Sequence, residues 1–141
     1  MTNTHKWITN LIKNLDEKVE QDTKKDLLES VGRKCISPNM IARAKEVYSK
    51  SKDLDDFYNK FSKINTHFHK IGNEYFMIYP KCYCSIVKSY PNFKEISSTY
   101  CYCSVGWAKE LFEKAMEREV EVELVHTIIG GADECRFKIK L

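Results

Sequence analysis

The stretch from Val120 to Leu141 constrains the fold more than any other part of the chain. Val120, Val122, Leu124 and His126 alternate with Glu121, Glu123, Val125 and Thr127, the period of two that marks a strand with one buried face. Cys135, Phe137, Ile139 and Leu141 alternate with Arg136, Lys138 and Lys140 in the same way. Between them, Gly130-Gly131 supplies the positive φ angles that a tight turn demands. Pairing outward from those glycines sets Val120 against Leu141, Val122 against Ile139 and Leu124 against Phe137. All of these residues then share one face, and a slip of one residue would turn every one of them to the other side. The same register places His126 opposite Cys135 on the core side, with Cβ atoms about 5 Å apart.

The hairpin needs partners, and the rest of the chain supplies helices first and strands later. Trp7, Ile8, Leu11, Ile12, Leu15 and Val19 recur at helical spacing, with Trp7 read as core. A second helix carries Leu27, Leu28 and Val31 and stops at Gly32, read as its C-terminal cap. Ser37-Pro38 starts a third, through Met40, Ile41, Ala44, Val47 and Tyr48. Asp53 caps a fourth, with Leu54, Phe57, Phe61 and Ile64 on one side. After the Gly72-Asn73 turn, Glu74 to Tyr79 reads as a strand ended by Pro80, and Cys82 to Tyr90 as another. His67-Phe68-His69 reads as a surface or helix-end segment. Ser104 to Met116 is helical, with Val105, Ala108, Leu111, Phe112 and Ala115 as its buried stripe. The result is an α+β fold: N-terminal helices packed on an antiparallel sheet, with a closing helix and a terminal β-hairpin. At 141 residues the chain is long enough for one core, so we read residues 1–141 as a single domain. Residues 1–70 form its helical part and 71–141 the sheet, helix and hairpin.

Lys and Arg number 23 against 20 Asp and Glu, interleaved along the chain, so there is no basic patch to recruit nucleic acid. No run approaches the roughly 20 apolar residues that a membrane span needs. Trp7 to Leu15 is amphipathic and broken by Asn and Lys, unlike a secretory leader. These features point to the cytoplasm, where thiols stay reduced.

The cysteines carry the chemistry. Four of six form two Cys-x-Cys pairs, Cys82/Cys84 and Cys101/Cys103; Cys135 lies in the hairpin, and Cys35 follows Gly32-Arg33-Lys34. Cys101 and Cys103 lie just before a helix, where the dipole favours thiolate. With Cys82 and Cys84 on a strand and His126 beside Cys135, the set offers the sulfur and imidazole ligands that zinc takes. A second reading is a thiol enzyme, with Cys101 or Cys103 as nucleophile and His126 as base. Vicinal thiols also suit a redox or metalloid sensor. A third reading is packing alone, since free cysteine is among the most buried residue types. Against packing, the pairs sit among tyrosines (Tyr79, Tyr83, Tyr100, Tyr102) and not among aliphatic residues.

Gly130-Gly131-Ala132-Asp133-Glu134-Cys135-Arg136-Phe137 resembles the Gly-Asp-x-x-Cys-x-Phe signature that closes 4-vinyl-reductase-type domains, small-molecule-binding α/β modules of bacterial and archaeal sensors and of tetrapyrrole biosynthesis. The resemblance covers about residues 74–141, where the final helix-strand-strand order also agrees. In some sensor members a structural zinc is held by the hairpin cysteine, a cysteine before the last helix and residues of the penultimate strand. By position this implies Cys135, Cys101 or Cys103, and His126 standing where the family has another ligand. Relatives also bind apolar or aromatic ligands between helices and sheet, which implies a pocket lined by Tyr79, Tyr83, Trp107 and Phe112, with Tyr75 and Phe76 nearby. The resemblance thus implies a cysteine-rich, sensor-like module for a small molecule or metal ion. A sensor without its own output segment works through a partner or as a homodimer.

Overall fold

The computed structural model describes all residues, 1–141. Four helices come first: α1 (Asn3–Lys18), α2 (Gln21–Arg33), α3 (Pro38–Ser49) and α4 (Leu54–Phe61). Strands β1 (Phe68–Ile71) and β2 (Glu74–Tyr79) follow, then a short α5 (Ser85–Lys88), the long α6 (Tyr102–Met116), β3 (Glu121–His126) and β4 (Cys135–Lys140). The sheet runs β1-β2-β4-β3 and is antiparallel throughout. This is the α+β architecture that the two periodicities imply.

Local chemistry sets the element boundaries. Ser37 accepts a hydrogen bond from the Met40 amide ahead of Pro38, and Asp53 accepts from the Asp56 amide. Thr2 and His5 close a reciprocal cap on α1. The core fills the space between the sheet's inner face and α3, α4 and α6, with Phe57, Phe61, Phe68, Phe112, Met77 and Leu111 essentially inaccessible to solvent.

Four features differ from the sequence reading. Gly32 lies inside α2 and does not cap it. Its Cα packs on the backbone of α6, where an added Cβ would stand 1.7 Å from the Cys103 carbonyl oxygen. Gly106 does the reverse, its Cβ position 1.9 Å from the Glu29 carbonyl oxygen, so each helix offers a glycine where the other's backbone arrives. Trp7 is 67% exposed, because α1 buries His5 and Ile12 instead. Residues 82–90 form no strand: Val87 and Tyr90, three apart, are buried together with Ile96 while Ile86 is exposed, which is the spacing of a helical turn. His67-Phe68-His69 leads into strand β1, since Phe68 pairs with Met77 and fills the core.

The hairpin confirms the inner register and breaks it at one end. Val122 faces Ile139 and Leu124 faces Phe137, as the alternation requires. A bulge at Val125 then absorbs one residue, and His126 pairs with Arg136. Cys135 instead pairs with Tyr79 on β2. The connection is a longer loop than a Gly-Gly turn; within it Thr127 is buried and its hydroxyl accepts from the Gly130 amide, while Gly131 adopts φ 104°.

Candidate functional site

The site lies where the sheet edge near Tyr79 and Cys135, the segment 80–84 and the start of α6 meet. β2 ends at Tyr79, and Pro80 to Cys84 carries neither helix nor strand. Ser98–Cys101 forms a short 3-10 turn that runs into α6, so Cys101 sits at the junction and Cys103 in the first helical turn. Cys135 opens β4.

All six cysteines are free thiols. Their neighbours place them in two groups that adjoin at Cys82–Cys84 and at Cys101–Cys103. Cys101 is buried, and burial pushes its thiol up to about 12, the Thr127 hydroxyl partly offsetting this, with the Cys135, Cys82 and Cys103 thiols as neighbours. Burial also raises Cys135, whose sulfur accepts a hydrogen bond from the Ile128 amide at 3.3 Å and feels Cys82. Cys82 is raised by burial too, offset by the Cys84 amide. Cys82, Cys101 and Cys135 therefore form one set, drawn from three separate segments.

The second set faces α2. Burial pushes Cys103 up to about 12, and its thiol neighbours are Cys35 and Cys84. The Cys84 sulfur stands 3.4 Å from the Tyr100 hydroxyl. Burial, and then that contact, raise Tyr100 above the ordinary phenol range, with Cys103 and Cys35 nearby. The two Cys-x-Cys pairs are thus split: the first cysteine of each serves one set and the second serves the other.

The remaining candidates do not join them. The bulge turns His126 to the outer face of the sheet, where its Nε2 lies 3.2 Å from Glu134, itself bonded to Arg136 Nε at 2.7 Å. The expected placement of His126 beside Cys135 is therefore corrected, and so is the expected lowering of the Cys101 and Cys103 thiols. A helix N-terminus stabilises an anion by about 0.3–1 kcal/mol, less than the cost of burying one. No group of three His, Cys, Asp or Glu side chains has the arrangement to hold a metal ion.

The aromatic candidates divide as well. Tyr79 packs on His67 with ring centroids 4.7 Å apart, and Tyr83 on the same His67 at 4.8 Å. Burial raises the Tyr79 hydroxyl above the ordinary range, with Cys135 adding to it. Phe112 is fully buried against Phe68, while Trp107 and Tyr79 both pack on the main core from its partly exposed side. None of the four lines the surface hollow of about 390 Å³ between Arg43 and Ile64. No local pattern marks His67 as the centre of a tyrosine cluster. The signal available was its place immediately before a strand that pairs with β2.

A family model described as a family of unknown function, DUF6144, matches residues 1–141, and the chain belongs to that family. No curated protein matches the chain.

Proposed function

We propose that the chain is a small sensor-like binding module whose ligand is a thiophilic metal ion of the zinc class, held by Cys82, Cys101 and Cys135. The observation that carries this reading is convergence: Cys101 meets the Thr127 hydroxyl and Cys135 accepts from the amide of the next residue, Ile128, so a helix start and a strand bring two sulfurs to one turn, with Cys82 of the loop beside them. Thiolate sulfur is the ligand type that zinc and softer ions prefer. The three thiols do not yet surround a common point, so uptake requires one of them to move. Cys82 is the one free to do so, because residues 80–83 lie outside any helix or strand, whereas α6 and β4 fix the other two. Each thiol must release its proton on binding, so affinity rises with pH across the neutral range.

The α6–β3–β4 order supports kinship with vinyl-reductase-type sensors, and free thiols suit a cytoplasmic setting. No helix is long and apolar enough to cross a membrane. Output through a partner or a second copy belongs to the same proposal. The thiol-enzyme reading has less support, because His126 is turned to Glu134 and is not placed to serve either Cys101 or Cys103 as a base.

Reduced, metal-free protein dialysed against zinc and then assayed for metal and for free thiols tests the proposal. One ion per chain with three thiols protected is expected, abolished by Cys82→Ser or Cys135→Ser and retained by Cys35→Ser and His126→Ala. Six freely titrating thiols and no bound zinc in the folded protein would sink it.

A further inference from the structure

The second thiol set lies outside this reading and has its own geometry. Cys35 lies just past the end of α2, is exposed to solvent, and its sulfur reaches only the Val31 carbonyl, at 3.6 Å. Gly32, one turn earlier, sits directly on the Cys103 backbone. Just past the end of α2, the Cys35 amide donates to the Gly32 carbonyl at 3.0 Å, so Cys35 lies one turn from the Gly32–Cys103 contact. That chain of contacts sets Cys35 beside the α2–α6 crossing, and a disulfide to Cys103 requires Cα atoms about 4.4–6.8 Å apart. Cys84 approaches the same place but is engaged by the Tyr100 hydroxyl. Among the six cysteines only Cys35 is exposed, so it meets a solute first.

We infer that Cys35 and Cys103 are an oxidisable dithiol, a modification site for hydroperoxides that closes as a reversible disulfide between the end of α2 and the start of α6. The Cys35 thiolate attacks the distal peroxide oxygen, the O–O bond breaks, and the alcohol or water leaves, giving a sulfenic acid. The Cys103 sulfur then attacks the Cys35 sulfur and the S–O bond breaks. The hydroxyl departs with the Cys103 proton as water. Two thiols are oxidised to one disulfide and one hydroperoxide is reduced. Nothing else is consumed until an external thiol reopens the bond.

The site shares no thiol with the proposed ion site, so each can fail without the other. The test uses the full chain, reduced and kept metal-free with a chelator, exposed to hydrogen peroxide and mapped by non-reducing peptide mass spectrometry. An intramolecular Cys35–Cys103 link that dithiothreitol reverses is expected. Cys35→Ser, at an exposed position, abolishes it and leaves Cys103 as a thiol. In Cys103→Ala, verified as folded by circular dichroism, Cys35 stops at the sulfenic acid and is trapped by dimedone. A link from Cys35 to Cys84, a link between two chains through Cys35, over-oxidation of Cys35 in the parent protein without any link, or no modification at all would each overturn the inference.

Discussion

Cys101 and Cys103 stand at the positive end of the α6 dipole, yet both thiols are pushed up to about 12 by burial. The competition is unequal. A helix terminus offers about 0.3–1 kcal/mol, whereas taking a thiolate out of water costs several times that. At pH 8 the thiolate fraction of either is on the order of one in ten thousand. We therefore expect iodoacetamide at pH 8 to label Cys35 first and Cys101 and Cys103 last, read by peptide mass spectrometry; early labelling of Cys101 would contradict this. The same burial links stability to pH. These groups hold their protons more tightly folded than unfolded, so their contribution is complete below about pH 9 and is lost as pH rises toward 12. The urea midpoint should fall above pH 9, and Cys101→Ala should flatten that fall.

Among the elements, the α2–α6 crossing is the most tightly specified. Gly32→Ala sets a methyl 1.7 Å from the Cys103 carbonyl oxygen, against backbone that no rotamer can clear. The helices must separate, at a cost of about 3 kcal/mol or more, visible as a large drop in melting temperature. Trp7→Ala should change stability by less than about 0.5 kcal/mol despite the size of the side chain, because that side chain is in water. A helical stripe on α1 shows that one face is apolar without showing which part of it is covered. In the structure α1 buries His5, whose imidazole bonds Ser89 and packs on Tyr90, a contact across 84 residues that no local pattern could report. Capping signals at Ser37 and Asp53 were readable because they act within one turn. The bulge at Val125 was not, since alternation continues through it and only the pairing partner changes.

For the molecule as a whole, the sheet's inner face and its helices were legible from periodicity. The division into two thiol sets was not. It depends on residues 80–84 leaving the sheet and on α2 meeting α6 at two glycines, both tertiary facts. The outer face carries His126, Glu134 and Arg136 away from the sulfurs, so any ion held here is held by thiolate alone among the protein's side chains. X-ray absorption at the zinc edge of the loaded protein measures that directly. Three sulfur neighbours at about 2.3 Å, with the zinc lost altogether in Cys135→Ser, is the result this account predicts. A shell of nitrogen and oxygen only, or a folded protein that retains no zinc, would contradict it.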